Sequence, residues 1–299
     1  MTLLTTAPIR RLSRADLPRC LDLAADRGLP GDDRVCARVW RLLLSAGEGF
    51  GVDDPDGDGL IGSFVLTRYG PGLACLSTVL VAERHARRGL GRRLVARALE
   101  EAGRTPVFLF ADEGDRELYE RSGFRTVGRA TAYTGHFRPE PEPESDLDVE
   151  HGAAGSRATT RRATAADLPA VLALDTAVSS ADRTHLITRI PAFADQLRVA
   201  EGPGGPTGFA AAWRTGGTTV IGPVVAQDDR SARQLIADLA VRTEGELRLD
   251  PDDRHHALGS WLTARGLAPR ISTAVMIHGA ADLPGDHHRR FAPMGVTLG

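Results

Sequence analysis

The residues best suited to chemistry are concentrated in two short stretches of the first half of this 299-residue chain. In the first, ERHARRGLGRRL, five arginines (Arg84, Arg87, Arg88, Arg92 and Arg93) surround Gly89 and Gly91, directly after the apolar run CLSTVLVA. A strand that ends in a glycine-containing turn and opens a helix presents several N–H groups with no intrahelical partner. With the helix dipole these make an anion site, and glycines let a phosphate come close to the backbone. A solvated helix face and a nucleic-acid patch are the competing readings. The two familiar nucleotide loops fit badly: a dinucleotide fingerprint needs a third glycine where Leu94 stands, and a P-loop needs Gly-Lys-Ser/Thr where Arg92 and Arg93 stand. The second stretch, LYERSGF, carries Tyr119, either a proton donor to a leaving group or an aromatic that fills space on a short helix.

Other candidates lie around these. Glu83 stands at the mouth of the glycine loop, as a general base or as a solvated carboxylate. Asp112 and Glu113 follow the strand-like PVFLFA and either face the reacting group or cap the next helix. His136 ends the last strand of this half and reads as structural. In the second half, Asp175 and Asp182 fall where a helix or loop could meet an acceptor. RHH at 254–256 and DHHRR at 286–290 look metal-like, but adjacent histidines on a loop converge poorly on one ion and no carboxylate or cysteine has useful spacing. No metal is expected.

Taken together, VLVAERHARRGLGRRLVARAL and FLFADEGDRELYERSGFRTVG resemble the GNAT superfamily of acyl-CoA-dependent N-acyltransferases. In that family a V-x-V-x-P strand end runs into an [RQ]-x-x-G-x-[GA] loop that binds the CoA pyrophosphate, and the tyrosine of a later L-Y-E-x-x-G-F segment lies by the CoA sulfur. The resemblance implies cofactor contacts from Val79, Leu80 and Val81 on the strand and from Arg87, Arg88, Gly89, Leu90, Gly91 and Arg92 in the loop. Leu118, Tyr119, Glu120, Gly123 and Phe124 match the second motif. Ala86 stands where the family has Arg or Gln, with Arg87 and Arg88 placed to supply the charge, and Glu83 stands where Pro is common. The implied reaction is direct transfer of an acetyl group from acetyl-CoA, as co-substrate, to a primary amine in a cleft shared by two halves. Tyr119 would be the acid, and Glu83 or Asp112 the base. A catalytically silent acyl-CoA-binding sensor or scaffold is the alternative.

The elements that must position these residues follow a duplicated plan. IRRLSRADLPRCLDLA from Ile9 reappears as TRRATAADLPAVLALD from Thr160, an offset of 151 residues with the skeleton R-R-x-[ST]-x-A-D-L-P. Ser13 and Thr164 each stand three positions before an aspartate, a capping-box-like helix start. The ends of the halves also correspond, LYERSGFRTVGRATAYTGHF with WLTARGLAPRISTAVMIHG. The expected organisation is an acyl-CoA-binding, catalytic domain at 1–137, a Pro/Glu-rich linker at 138–158, and a degenerate copy at 159–299. In that copy the loop after GPVVA is shorter, glycine-free and marked by Asp228 and Asp229, and Leu262 replaces Tyr119. The fold class implied is α/β (α+β): two tandem folds, each a mixed, mostly antiparallel twisted sheet flanked by helices, with a splay at two central strands.

Within the first half the pattern predicts helices over 14–26 and 33–45, strands near Phe50 and over 60–69 and 73–81, and a helix from about Arg88 to Ala102. A strand at PVFLFA, a short helix around Leu118 and two final strands follow. Leu90, Leu94, Val95, Ala98, Leu99 and Ala102 share one face of the long helix, so its arginines point outwards or sit at its start.

The bulk composition bounds the partners. With 37 basic and 39 acidic side chains and a net charge of −2, nothing pulls the whole chain towards nucleic acid or an anionic membrane. Cys20, Cys36 and Cys75 form no disulfide framework or zinc pattern, which points to reduced thiols and a cytoplasmic location. The N-terminus lacks a leader pattern, and no apolar stretch approaches the roughly 18 residues of a membrane span. The expected partners are acetyl-CoA and an amine, without nucleic acid or membrane, in a monomer or homodimer.

Overall fold

A computed structural model describes residues 7–29, 33–139 and 159–296; most of the predicted 138–158 linker lies outside them. The first half runs β1 (Ile9–Arg11), a 3-10 turn (Arg14–Asp16), α1 (Leu17–Asp26), α2 (Asp33–Ala46), β2 (Glu48–Asp53), β3 (Leu60–Arg68) and β4 (Ala74–Val81). A second 3-10 turn (Glu83–His85), α3 (Leu90–Ala102), β5 (Val107–Ala111), α4 (Arg116–Glu120) and β6 (Arg125–Gly135) complete it. The second half repeats the order with β7 (Thr160–Arg162), a 3-10 turn (Ala165–Asp167), α5 (Leu168–Ser179), α6 (Thr184–Ile187) and α7 (Ile190–Phe193). Then come β8 (Gln196–Gly202), β9 (Gly205–Thr215), β10 (Thr218–Val225), α8 (Asp229–Ala240), β11 (Glu246–Leu249), α9 (His256–Ala264), β12 (Leu267–His278) and a short β13 (Arg290–Ala292). Where the sequence suggested two final strands in the first half, there is one of 11 residues; an extra residue bends it against its partner instead of breaking it.

The repeated motif has a physical reason. In the first copy Ser13 and Asp16 form a capping box, and the Asp16 carboxylate also receives the Arg10 guanidinium at 2.7 Å. In the second, Thr164 and Asp167 form the same box and Arg161 meets Asp167 at 2.7 Å. Each motif ties its first strand to the helix that follows, and the proline after it sits at the start of that helix, where a missing N–H costs nothing. Gly49 approaches Leu44 of α2, while Gly62 approaches Leu90 and Leu94 of α3. The β2–β3 register and strand alternation therefore put α2 and α3 on opposite faces. Leu90, Leu94, Val95, Ala98 and Ala102 are the buried side of α3.

Among the described residues the 13 strands join in one sheet, in the order β1-β2-β3-β4-β5-β12-β6-β11-β10-β9-β8-β7, with β13 added on β10. The last long strand of each half is exchanged. β12 pairs antiparallel with β5 of the first half, and β6 pairs antiparallel with β11 of the second. The two exchanged strands pair with each other down the middle. Gly123 and Gly266 open the equivalent strands 143 positions apart, and Ala130 faces Thr273, the same 143 positions away. A local two-fold passes through that pair. One buried cluster accordingly mixes Phe108 and Tyr69 with Val178, Ile187 and Phe209, so the halves share a core.

Residues 1–139 expressed alone should therefore fail to give a well-behaved monomer, because β5 loses β12 and β6 loses both neighbours. Co-expression with 159–299 should restore a monomeric heterodimer by size exclusion, and a monodisperse, cooperatively melting 1–139 fragment would contradict the exchange. The Asp16 and Asp167 carboxyls are held well below the ordinary range, chiefly by hydrogen bonds from Arg10 and Arg161. Their stabilisation is thus fully present above about pH 4 and is lost as pH falls through the lowered folded values. Asp16→Asn should cost about 1–2 kcal/mol at pH 7 in chemical denaturation and flatten the acid limb of the stability profile.

Candidate active site

The loop between β4 and α3 has the backbone form of an anion nest. After the 3-10 turn, Ala86 is extended, Arg87 takes φ +58° and Gly89 takes φ +84° before α3 begins. Left-handed residues at both positions turn successive amides to one side, the arrangement that makes a concave anion nest. Among the described residues the N–H groups of 87–92 donate to no protein acceptor; Arg93 N–H is the first to bond, to the Gly89 carbonyl at 3.2 Å. A Cβ on Gly89 would meet nothing within 4 Å, so the space above it is open, whereas one on Gly91 would come 3.3 Å from Leu118 and 3.8 Å from Val81. Gly89 supplies the conformation, and Gly91 lets α3 close onto β4 and α4.

The arginines divide cleanly. Arg84 is tied to Asp54 and His85, Arg93 to the Ala7 carbonyl, and Arg97 to Glu100 and Glu101. Arg87, Arg88 and Arg92 are exposed and have no acidic partner among the described residues. His85, which the sequence did not single out, is buried beneath the loop with its Nδ1 unpartnered. Burial, then Arg84 and Arg88, lowers its pKa, so it stays neutral there.

Beside the loop the sheet opens. β4 and β5 pair in parallel only at Ala74↔Val107 and Cys75↔Phe108. β4 then bulges against β3, with Thr78 at φ +49°, and carries Val79, Leu80 and Val81 along the gap. The buried hydroxyl oxygens of Ser77 and Thr78 have no hydrogen-bond partner. Buried hydroxyls beside the point where β4 and β5 part are polar groups for which the chain supplies no partner.

Tyr119 sits on α4, 6% exposed and packed edge-on to Phe124 with ring centroids 5.9 Å apart. Its neighbour Leu118 is the residue that touches the Gly91 position, so α4 borders the glycine loop. Burial, then Asp115 and Asp112, pushes the phenol pKa up and keeps it protonated. Asp115 lies one helical turn before Tyr119, and burial with Asp112 raises its own carboxyl. It escaped sequence reading, although an acid four residues before the tyrosine of a short helix was the available signal.

The remaining sequence candidates are distributed as follows. Glu83 is ion-paired to Arg27 of the α1 end, with its side chain 71% exposed, and its N–H donates to Asp26 at 2.7 Å. Asp112 is exposed; its carbonyl accepts from Asp115 N–H at 3.0 Å. Glu113 pairs with Arg116 and Arg129. His136 faces the Gly245 carbonyl at 3.2 Å, at the seam between the halves. Asp175 is buried against Arg183, and Asp182 is exposed, accepting from Thr184 N–H. His255 bonds the His287 and Arg290 carbonyls, and His287 faces Arg254 and Arg290. No group of three potential metal ligands converges among the described residues. Nor is any described helix long and apolar enough to cross a membrane.

Comparison with known proteins agrees with this geometry. The acetyltransferase (GNAT) family model matches residues 18–124, and an acetyltransferase (GNAT) domain model matches residues 171–292. The chain belongs to the GNAT superfamily. It is a tandem GNAT acyltransferase, 29% identical over 231 residues to the uncharacterized N-acetyltransferase YitH of Bacillus subtilis, with 76% of each chain covered. An acetyltransferase structure from Pyrococcus horikoshii superposes with a TM-score of 0.79 at 18% identity, over 98% of this chain and 95% of that one. A tandem GNAT protein from the clavulanic acid biosynthesis pathway superposes with a TM-score of 0.63 at 16% identity, over 92% and 99%. Both share the fold.

The second GNAT unit has the same opening, filled by the chain itself. β10 pairs with β11 from Thr218 to Ile221 and then parts from it. Into that gap β13 inserts, pairing with β10 at Val224↔Ala292 and Val225↔Arg290. The Ala226 N–H donates to the Arg289 carbonyl at 3.0 Å, and the Asp252 N–H to the Phe291 carbonyl at 2.9 Å. Phe291 is 1% exposed and Met294 fully buried. A Cβ on Gly222 would lie 2.2 Å from the Pro293 carbonyl oxygen, so the segment is seated directly on β10. At the start of α8 the Asp228 carboxylate accepts the Ser231 N–H at 2.8 Å, an internal anion where the first unit leaves its amides open. Leu262 is fully buried at the position matching Tyr119.

Proposed function

We propose that this GNAT protein transfers an acetyl group from acetyl-CoA to a primary amine, and that the first unit, residues 1–137, carries the reaction. The observation that carries this reading is the run of unpartnered amides from Arg87 to Arg92 beside a strand gap edged by unpartnered Ser77 and Thr78 hydroxyls. Gly89, Leu90, Gly91 and Arg92 bind the pyrophosphate through backbone N–H groups, reinforced by the Arg87 and Arg88 guanidinia. Val79, Leu80 and Val81 line the pantetheine path. Acetyl-CoA supplies an activated thioester carbonyl; the chain supplies position, charge and protons.

The amine must be free to attack. An alkylammonium of pKa about 10.4 is only about 0.04% deprotonated at pH 7, a deficit of roughly 4.6 kcal/mol. Asp26 and Arg27 meet Glu83, and Asp112 lies near Asp115, so carboxylates are at hand for a cationic acceptor. Arg27 already holds Glu83, so Asp112, with Asp115 behind it, is the better placed to draw the ammonium proton away, directly or through water. The amine nitrogen then bonds to the carbonyl carbon, the C–S bond breaks as Tyr119 donates a proton to the departing sulfur, and the surplus proton on the new amide nitrogen returns to the tyrosine oxygen, directly or through water. Burial and two nearby carboxylates make Tyr119 a weak acid in isolation, but the same apolar setting raises the proton affinity of the thiolate it faces. The second unit, with its slot filled by β13, closes the acceptor side.

Acetyl-CoA at a hundred-fold excess over Kd should stabilise the protein by about 2.7 kcal/mol in thermal melting. Gly89→Glu, which forces a side chain into φ +84° and puts a carboxylate in the nest, should abolish that shift; a retained shift would place the binding loop elsewhere. Tyr119→Phe should keep the shift and lower kcat for thiol release by about 10²–10⁴-fold with an amine acceptor. Unchanged turnover would remove Tyr119 from the acid role. Stabilisation by acetyl-CoA with no thiol release from any amine would favour a silent acyl-CoA sensor.

A further inference from the structure

A cavity of about 60 Å³ lies where the two halves meet. Phe108 and Phe110 of β5, Val275 of β12 and Leu283 give it apolar walls. Phe110 pairs with Val275, and it lies beyond the point where β5 parts from β4, so the cavity borders the gap of the first unit. The volume is room for roughly four waters, enough for one arm of a small molecule.

Two arginines, Arg183 and Arg290, and two aspartates, Asp175 and Asp252, line this space; Arg183 holds Asp175 and Arg254 reaches Asp252 at 3.7 Å, and the two arginines are satisfied differently. Arg183 is 7% exposed and paired to Asp175 at 3.2 Å, with its guanidinium over the Tyr69 ring at 5.6 Å. Arg290, delivered by β13, donates to the Pro284 carbonyl at 3.1 Å and to His287 Nδ1 at 2.7 Å. Both acceptors are neutral, and among the described residues no carboxylate reaches Arg290 within ion-pair distance. Burial, then Arg183, lowers its pKa to about 10 against the weaker pull of Asp252 and Asp282, which lie beyond ion-pair distance. A guanidinium has five N–H donors in a planar fork, more than these two bonds use, and Arg290 lines the cavity beside its apolar walls. A half-buried guanidinium with no carboxylate within ion-pair distance suits a planar anion that can take two parallel hydrogen bonds.

We propose that this cavity takes a carboxylate, and that the acceptor is a small amino carboxylate whose anion docks on Arg290 while its amine points to the strand gap. Phe108, Phe110 and Val275 surround its short apolar body. The acceptor assignment rests on the acyl-transfer reading of the first unit, whereas the pocket can be tested without turnover.

Thermal melting of the full-length protein with sodium propionate, against propionamide at matched ionic strength, tests the pocket. A saturable rise in Tm with propionate and none with propionamide is expected, and Arg290→Gln should abolish it while keeping the acetyl-CoA shift. Arg290→Lys, which keeps the charge and loses the fork, guards against a misfolded Gln variant and should bind propionate about tenfold more weakly. Equal responses to propionate and propionamide would overturn the proposal. So would a propionate response unchanged in Arg290→Gln or Arg290→Lys. In turnover, amino carboxylates should show at least tenfold lower KM than their amides, a preference that Arg290→Gln removes. Acetyl-CoA binding without propionate binding would count against the pocket alone, and propionate binding without acetyl-CoA binding against acyl transfer alone.

Discussion

Two neighbouring parallel strands that hydrogen-bond briefly and then separate impose the main constraint on this molecule. Separation strips backbone and side-chain polar groups of their partners in the middle of a sheet, where each unsatisfied group costs free energy. The two halves meet the same difficulty in different ways. The second fills its gap with β13 and caps the following helix with Asp228. The first leaves Ser77, Thr78 and the loop amides unsatisfied, a state that makes physical sense as readiness for a ligand carrying both polar groups and phosphate. On the proposed reading, the filled gap belongs to a scaffold and the open one to the site.

Charge follows the same division. Around α3, the arginines that meet carboxylates or carbonyls lie away from the nest, and those that meet none lie on it. Surface pairs of the first kind contribute little to stability. The unpaired ones, Arg87, Arg88 and Arg92, lie in the same stretch as the six unpartnered amides, so positive charge is local there although the whole chain is nearly neutral.

Much of this was legible in the sequence, and the parts that were not share a cause. The R-R-x-[ST]-x-A-D-L-P repeat could be read because its bonds, Arg10 to Asp16 and Arg161 to Asp167, close within six residues. The glycine loop and the apolar face of α3 are equally local. The exchange of β6 and β12 was not legible, because the strands are equivalents and either fits beside β5 or β11 by pattern alone. The plug escaped notice because three residues of strand, Arg290–Ala292, give no periodic signal. Glu83 read as a free carboxylate since its partner, Arg27, lies 56 positions away. Long-range partners decide whether a polar residue is available, and sequence order does not reveal them.

The exchanged strands also bear on how such a chain can change over time. A duplicated domain is usually free to decay once its copy does the work, and substitutions at the second loop and at Leu262 could accumulate without penalty to the first site. The frame around them could not, because β12 is the strand that covers the edge of β5, and β5 forms one wall of the open gap. Deleting the second copy would therefore remove part of the first. A gap in either half can be filled from within, as β13 fills the second, but neither half can be removed without stripping the other of a strand.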